Sequence, residues 1–403
     1  MGDKALVGFF EDYVHKESIF SDRSMLQSNF MPEQVLHREA ELKQIANILA
    51  PALRQERPSN LFVYGKTGTG KTLATKHIIK QLTRVSRGKN IPLIALYLNC
   101  KLKRVADTEY RLIAQLIREL GGEIASTGLP TEEVYKAFFD LIDKEKGVYV
   151  IVLDEIDQLV SRAGDEILYN LVRFNEELQK SKVALVGISN DLVFIDTIDP
   201  RARSSLSEEE IIFAPYNAFQ LQDLLRERSA KAFRKGCLQP GVLEKCAAYA
   251  AREHGDARRA LDLLRVSAEL AERNNEGAIN ISHIDLAEEK IERDRVLDIV
   301  RVQPKQSQAT LYALLSLHEG KAESVSTGEI YGAYKSVAAK AGLRPLTQRR
   351  VSDILAELDM LGIITTSVIS KGRYGRTREI TSLVPSVIFS TTKQHLEDGL
   401  DLS

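Results

Sequence analysis

The chain has 403 residues, of which 44% are hydrophobic and 28% are charged, and its formal net charge is −1. This composition is typical of a folded globular protein with two or three domains, and it excludes a disordered chain. No apolar run approaches the eighteen residues that a membrane-spanning helix needs, and a neutral chain has no global attraction for nucleic acid.

The cysteines and the first residues are typical of a cytosolic protein. Cys100, Cys237 and Cys246 have no CxxC spacing, so we expect reduced, buried thiols rather than zinc ligands or disulfides. The N-terminal stretch MGDKALVGFFEDYVHK has acids within its apolar patch and no small-residue cleavage site, which argues against a secretory signal. We therefore expect a cytoplasmic protein with no membrane partner.

The first half of the chain alternates short β-branched runs with longer helical patterns. Unbroken apolar runs of this kind predict buried parallel strands in an α/β layer fold. The predicted strands are 60–64, 92–99, 148–153, 183–188 and 210–214.

Helices follow the last of these strands, in two groups. The first group is predicted at 217–233, 240–253, 256–273 and 282–297, and the second at 308–319, 326–341 and 347–361. Two short strands, 363–369 and 379–383, come after the last helix. Three helices followed by a hairpin are the order of a winged helix. The predicted domains are 1–216, 217–303 and 304–403.

The most informative motif is YGKTGTGKT, at 64–72, directly after the first predicted strand. It fits the pattern G-x-x-x-x-G-K-[ST], whose glycines let backbone N–H groups surround phosphate oxygens. Lys71 is expected to reach the β- and γ-phosphates, and Thr72 to ligate Mg²⁺. The predicted nucleotide-binding residues of this loop are Gly65, Lys66, Thr67, Gly68, Thr69, Gly70, Lys71 and Thr72.

Polar residues after two later strands, and at the start of a helix, complete the predicted nucleotide site. Asp154 and Glu155 end a buried strand, where one carboxylate can hold Mg²⁺ and its neighbour can polarise the attacking water. Asn190 ends the next strand and can orient water or sense the γ-phosphate. Arg258 and Arg259 begin a helix, where the helix dipole disfavours cations. Either an anionic ligand or plain solvation explains these two arginines.

The segment 335–378 is strongly basic, with nine Lys or Arg and three Asp or Glu. Such a local excess is the electrostatic footprint of phosphate binding. The residues expected to meet base edges, at the start of the third helix of the winged helix, are Thr347, Gln348, Arg349, Arg350 and Ser352. Those expected at the hairpin tip are Lys371, Arg373, Tyr374, Gly375 and Arg376. Arg373 and Arg376 are suited to a minor groove, and a solvated charged tip is the alternative.

Together these motifs resemble the AAA+ ATPases, and most closely the archaeal origin-recognition and cell-division-control replication initiators. The matching elements span nearly the whole chain: VLHREAEL, GKTGTGKT, VLDEID, GISND, DPRARSSLSEEEI, REHGDARRALDLLR and the C-terminal winged helix. The resemblance implies an α/β P-loop AAA+ domain, with helices on both faces of a parallel sheet. It also implies a helical lid and a C-terminal winged-helix DNA-binding domain.

The resemblance also assigns roles by position. Lys71 and Thr72 take the Walker A roles, Asp154 and Glu155 the Walker B roles, Asn190 that of sensor 1, and Arg258 that of sensor 2. Arg38 and Tyr216 fall where the family holds the nucleotide. The family's arginine finger, which acts on a neighbouring protomer, falls near Arg201 and Arg203, and both stay candidates. The segment 101–135 stands where this family has a DNA-contacting helical insertion, whereas the residues alone predict a surface helix pair.

The expected function is an ATP-binding initiator that recognises double-stranded origin DNA and helps to load the MCM replicative helicase. Its ligands are ATP or ADP with Mg²⁺, and slow hydrolysis by a weak ATPase acts as a switch. Further initiator protomers on the DNA and a cytoplasmic, nucleoid-associated location follow from the same resemblance. A nucleotide-switched signalling scaffold that does not bind DNA is the alternative, and a processive helicase or transposition ATPase is a third possibility.

Overall fold

The computed structural model describes residues 17–28, 30–101, 108–125, 128–206, 208–318, 324–370 and 376–402. The chain forms two compact units that meet between Ile284 and Asp285. The first unit holds the predicted α/β domain and most of the predicted lid, and the second holds the predicted winged helix. Within the described residues, no helix is long and apolar enough to span a membrane.

A five-stranded parallel sheet is the centre of the first unit. Its strands are β1 (Leu61–Tyr64), β2 (Leu93–Asn99), β3 (Val148–Asp154), β4 (Lys182–Ser189) and β5 (Glu209–Ile212), in the order β2-β3-β4-β1-β5. All of β3 is buried because the sheet is covered on both faces. In the register of the sheet, Tyr64 pairs with Ser189 and Asp154 with Ile188. The loops after β1, β3 and β4 therefore leave the sheet at the same edge, where ligands of open α/β sheets bind.

The helices of the α/β layer pack on the two faces of this sheet. They are α1 (Glu39–Leu49), α2 (Lys71–Gly88), α3 (Glu109–Glu119), α4 (Thr131–Ile142), α5 (Ile156–Ala163), α6 (Glu166–Val172), α7 (Phe174–Glu177), α8 (Phe194–Thr197) and α9 (Pro200–Leu206). The predicted surface pair corresponds to α3 and α4, but their apolar sides are part of the core. Leu112 and Phe138 are fully buried in the same cluster as Ile151 of the sheet. The structure therefore adds a buried apolar face to the predicted helix pair, whose opposite side stays exposed at Arg118 and Lys136.

The lid is formed by α10 (Ala218–Ala232), α11 (Val242–Arg252), α12 (Ala257–Arg273) and the start of α13 (Ile281–Val302). Local capping sets where these helices begin. Asn217 and Gln220 form a reciprocal capping box at α10, and the Asp256 carboxylate accepts from two backbone N–H groups at the start of α12. The N-terminal segment, which is residues 17–28 and 30–38 of the described chain, packs against the lid. Phe20 pairs with Phe233, and Ile19 N donates to Glu272 at 2.8 Å.

The second unit has the element order of a winged helix. It contains α14 (Lys305–His318), β6 (Val325–Ser326), α15 (Thr327–Lys340), α16 (Gln348–Met360), β7 (Ile364–Ser370), β8 (Arg376–Ser382) and α17 (Ser386–Leu400). The strands form an antiparallel sheet in the order β6-β8-β7. The sequence analysis did not predict β6 or α17. A two-residue strand is too short to show an alternating pattern, so only its pairing with Ile380 reveals β6.

Candidate functional site

The phosphate-loop motif forms a tight ring at the carboxyl edge of the sheet. Gly68 and Gly70 have φ angles of +69° and +93°, a region that favours glycine, and a Cβ on Gly68 would overlap the Asp256 carboxylate. Lys71 Nζ donates to the carbonyls of Gly65 and Lys66, both at 2.7 Å. Burial, together with the nearby Arg258, lowers the pKa of Lys71 to about 8, although Asp154 opposes the shift. A phosphate chain between these N–H groups and the ammonium would compensate for that desolvation.

Two side chains with oxygen atoms that could ligate a metal ion lie side by side, Thr72 at the start of α2 and Asp154 at the end of β3. Thr72 Oγ1 donates to Asp154 Oδ2 at 2.9 Å, and Tyr97 Oη donates to the same carboxylate oxygen. Hydroxyl and carboxylate oxygens suit Mg²⁺, which takes few protein ligands and completes its shell with water and substrate phosphates. Among the described residues, no group of three or more His, Cys, Asp or Glu side chains could hold a metal. The pair therefore fits a magnesium ion bound together with a nucleotide.

The other predicted polar residues lie around this pair. Glu155 has φ +55°, and its carboxylate is 3.9 Å from the Lys101 ammonium. Asn190 follows β4 and lines the same cleft as Lys71 and Thr72. Because β3 and β4 are neighbours in the sheet, the carboxylates and the amide reach one edge, as the sequence predicts for side chains that follow adjacent parallel strands.

The lid contacts the phosphate loop directly. Ala257 N, at the start of α12, donates to Gly68 O at 3.2 Å, and Tyr216 N donates to Gly255 O at 3.3 Å. Arg258 lines the cleft and is exposed, and its guanidinium has no hydrogen bond or ion pair with any residue that the structure describes. The adjacent Arg259 instead pairs with Glu253 at 3.0 Å. Of the two arginines at this helix start, only Arg258 therefore presents a free guanidinium to the cleft.

Arg38 lies behind the cleft, with its guanidinium 3.9 Å from the centre of the Tyr216 ring. It is buried and donates to Thr69 O at 3.0 Å, to Ala214 O at 2.5 Å and to Glu41 at 3.0 Å. Tyr216 lines the cleft, whereas Arg38 does not. Arg38 thus holds the phosphate loop and the tyrosine in position, and its direct contact with a base stays a prediction.

The cleft extends beyond the predicted residues, into a region that the sequence analysis missed. It encloses about 200 Å³. The lining residues that were not predicted come from the N-terminal segment, α2 and the lid: Gln27, Ser28, Phe30, Met31, Leu73, Lys76, Leu224, Arg228, Ala257 and Leu261. Arg228 is 5% exposed, and its guanidinium lies 4.5 Å from the centre of the Phe30 ring. Burial lowers its pKa, and among the described residues it has no ion pair. The sequence shows only that Arg228 lies within a predicted helix, and nothing in the helical pattern reveals that its side chain is buried.

The start of α16 presents polar side chains to solvent in the second unit. Thr347 caps the helix through the N–H of Arg350, and Thr347, Gln348, Arg349 and Arg350 are all exposed. Arg350 pairs with Asp353 at 3.6 Å, and Ser352 Oγ donates to Gln348 O at 3.0 Å. The Arg349 side chain has no hydrogen bond or ion pair with a described residue. The opposite face of the helix is buried through Val351, Ile354, Leu355 and Leu358.

The predicted hairpin tip lies largely outside the described residues. Lys371, Arg373, Tyr374 and Gly375 are not described. The strands on either side pair in register up to Ser370 and Arg376, and of Arg376 only the backbone is described. The hairpin itself is therefore present where the sequence places it.

Comparisons with known proteins identify the family. The chain matches the AAA domain over residues 54–193, the Cdc6 AAA+ ATPase-type lid domain over 222–289 and the CDC6 C-terminal winged helix domain over 298–391. An ORC1-type DNA replication protein of Thermococcus onnurineus is 48% identical over 384 residues, which are 94% of this chain and 92% of the relative. This chain belongs to the ORC1-type DNA replication protein family.

Further relatives agree with this family. ORC1-type DNA replication protein 1 of Methanosarcina mazei is 48% identical over 98% of this chain and 94% of the relative. The Aeropyrum pernix ORC1 protein, solved in complex with DNA, is 42% identical with a TM-score of 0.84, over 95% of this chain and 98% of that one. Cdc6p from Pyrobaculum aerophilum, at 21% identity and a TM-score of 0.58, supports the fold alone. The predicted initiator family and the AAA+, lid and winged-helix fold are confirmed.

The two candidates for the family's arginine finger both lie in α9 and make ion pairs within the chain. Arg201 pairs with Asp199 at 3.0 Å, and its guanidinium lies 5.1 Å from the centre of the Tyr169 ring. Arg203 pairs with Asp196 at 2.8 Å. Either arginine would have to leave its carboxylate to reach a neighbouring protomer, so the choice between them stays open.

Proposed function

We propose that this chain is an ATP-switched replication initiator that binds double-stranded origin DNA. The observation that carries the proposal is a basic, exposed helix start in a winged helix, on a chain with a TM-score of 0.84 to an ORC1 protein solved with DNA. Arg349 is free to donate to a guanine edge, while Gln348 is suited to adenine. Thr347, Arg350 and Ser352 would support these contacts, and Lys371, Arg373, Tyr374, Gly375 and Arg376 would follow the backbone at the hairpin tip.

In the nucleotide site, the proposed ligands are ATP or ADP with Mg²⁺. Lys71 and the N–H groups of residues 65–72 would hold the phosphates, Thr72 and Asp154 the magnesium ion, and Arg258 the γ-phosphate. Glu155 would orient the attacking water together with Asn190. The supporting geometry is the 2.9 Å contact between Thr72 and Asp154 and the position of Arg258 and Asn190 in one cleft.

The base of the nucleotide would lie at the opposite end of the cleft, between the N-terminal segment and the lid. Phe30, Leu224 and Leu261 offer apolar surface there, and Arg228 offers donors that no carboxylate in the described chain uses. Tyr216, held by Arg38, would border the same space. This arrangement makes nucleotide a bridge between the sheet, the lid and the N-terminal segment.

The switch would act through the lid. Ala257 contacts Gly68 of the phosphate loop, and Arg258 is the next residue, so loss of the γ-phosphate would change the contact between loop and lid. Hydrolysis would be slow, since Arg201 and Arg203 are both engaged within the chain. The loading of an MCM helicase, additional protomers on DNA and a cytoplasmic, nucleoid-associated location rest on the family resemblance.

Fluorescence polarisation tests the DNA-binding part. The full chain with ATP and Mg²⁺ is titrated into labelled duplexes that carry either origin repeats or the same bases scrambled, at physiological salt. We expect the origin duplex to bind at least about 1,000-fold more tightly. Equal affinities would overturn origin recognition.

Two variants identify the surface that reads the DNA. Arg349→Ala should reduce binding to the origin duplex by about 1–3 kcal/mol and relax the preference at one base pair. Arg273→Ala, which removes an exposed arginine of the lid, serves as the matched control. If Arg349→Ala and the double change Arg373→Ala with Arg376→Ala all leave DNA retention unchanged, the signalling scaffold becomes the better function.

Turnover separates a switch from a motor. The switch predicts hydrolysis slower than about one ATP per second, with loss of activity in Lys71→Ala. DNA-stimulated turnover well above that rate would favour a helicase or transposition ATPase.

A further inference from the structure

The helix that follows the phosphate loop carries a row of cations that the nucleotide site does not use. Residues 57–106 contain eleven Lys or Arg and no Asp or Glu, in a chain whose net charge is −1. Lys80, Arg84 and Arg87, which we call the basic ridge, are spaced three and four residues apart and share one face of α2. All three side chains are exposed, and none of them has a hydrogen bond or ion pair with a residue that the structure describes.

The basic ridge borders a groove rather than a flat surface. The groove encloses about 590 Å³ between α2 and the N-terminal segment, and Met31, Pro32, Glu33 and His77 line it as well. Glu33 is the one acid among the described residues of this lining. The groove is therefore strongly positive and open to a ligand from solvent.

Helix stability explains only part of the pattern. Cations near the last turn of a helix complement its dipole, which accounts for Arg87. Like charges three and four residues apart on one face repel each other, so a row of three such charges with no acid between them weakens the helix. An external anion that neutralises the row would remove this repulsion.

We infer that the basic ridge is a second DNA-contacting surface, which binds the phosphate backbone of a duplex independently of the winged helix. The inference rests on the proposed function, because it assumes that the chain binds DNA. From His77 to Arg87 the helix rises about 15 Å, and duplex phosphates of one strand advance about 3.4 Å each, so the face spans about four phosphates. Among the described residues, the lining of the groove contains no Phe, Tyr or Trp, and the single imidazole of His77 is too small a platform for a row of stacked single-stranded bases.

The ridge also links DNA to the nucleotide site. Lys71 and Thr72 begin the same helix, and Met31 lines both the groove and the nucleotide cleft. A duplex held at the ridge would therefore contact the two elements, α2 and the N-terminal segment, that enclose the nucleotide.

The test is the salt dependence of binding to a duplex without origin repeats, measured with the full chain between 50 and about 200 mM salt. The variant is Lys80→Gln, Arg84→Gln and Arg87→Gln together. Its slope of log affinity against log salt should be smaller by about 2–3, since each lost phosphate contact removes about 0.9. The matched control is Lys144→Gln, Lys235→Gln and Arg273→Gln together, which changes the net charge by the same amount at three exposed cations outside α2. Its slope should equal that of the natural chain.

Removing a negative charge from the groove, instead of positive ones, gives an independent measurement. Glu33→Gln removes the acid of the groove and should tighten duplex binding several-fold, and ATP affinity, measured in every variant, should stay unchanged as evidence of an intact fold. Equal slopes for the natural chain and the ridge variant would overturn the inference, as would an equal loss in the control triple.

Two further outcomes separate related explanations. If the ridge variant keeps duplex binding but loses binding to a labelled poly-glutamate peptide, the ridge takes an acidic protein and the DNA inference is overturned. If the natural chain binds no duplex at all while it binds ATP, the DNA-binding part of the proposed function and the ridge inference are both overturned.

Discussion

Arg228→Met separates a structural role of this buried arginine from a nucleotide-binding one. Among the described residues, the guanidinium has one hydrogen bond, to Met25 O at 3.4 Å, which is long, and it lies over the Phe30 ring. Methionine keeps most of the volume and replaces the cation–π contact with a sulfur–aromatic contact of about 0.3–1.5 kcal/mol. Because the guanidinium has no ion pair among the described residues, its replacement breaks no pair and removes the cost of keeping a charge out of water. The ligand-free protein should therefore unfold at the same or a higher urea concentration.

The affinity for ATP should fall in Arg228→Met, although the stability of the ligand-free protein should not. A hydrogen bond from a charged donor contributes about 1.5–3 kcal/mol, and 1.4 kcal/mol is a factor of ten, so the loss of one such bond predicts about 10- to 150-fold weaker ATP binding. Calorimetric titration with ATP measures this, beside urea unfolding of the same samples. Arg226→Met is the control, because Arg226 is on the same helix, exposed, and paired with Asp223. A variant that unfolds more easily by over about 2 kcal/mol, yet binds ATP normally, would refute the reasoning.

Three further outcomes follow from single side chains. Asp256→Ala removes the acceptor for the first N–H groups of α12, so the free energy of unfolding should fall by about 0.5–2 kcal/mol in urea, and an unchanged midpoint would contradict the capping role. Gly68→Ala places a methyl group against the Asp256 carboxylate at φ +69°, and ATP affinity should fall at least about tenfold by calorimetry, whereas Gly88→Ala, in open space, should be neutral. Although burial opposes it, backbone N–H donors from Gln179, Ser181 and Lys180 lower the pKa of Asp143. The stabilising contribution of this carboxylate is therefore present above about pH 4 and is lost as the pH falls through the folded-state pKa. Asp143→Asn should make the urea midpoint less dependent on pH between roughly 2.5 and 5, and an unaltered pH profile would exclude this group.

Local patterns were sufficient for most of the secondary structure, β6 and α17 excepted, and for half of the candidate site. The strands of the parallel sheet lie within two residues of their predicted positions, because an unbroken apolar run between turns has few alternatives to a buried strand. The phosphate loop is equally local: its glycines, Lys71 and Thr72 are neighbours in sequence. Asn217 and Asp256 begin lid helices close to where the sequence predicts them, since a capping side chain acts only on the next few residues.

What the tertiary structure alone decided is which distant residues meet. The sheet order β2-β3-β4-β1-β5 brings Asp154 to Thr72, 82 positions away, and the lid returns Asp256 to Gly68. Phe30 meets Arg228 because the N-terminal segment packs on the lid. Likewise, Arg38 lies behind Tyr216 instead of in the cleft. Each of these contacts joins two elements, and the hydrophobic pattern of each element indicates only that one of its faces is apolar. Which face meets which partner depends on the packing of the whole unit, and no local period in the sequence encodes it.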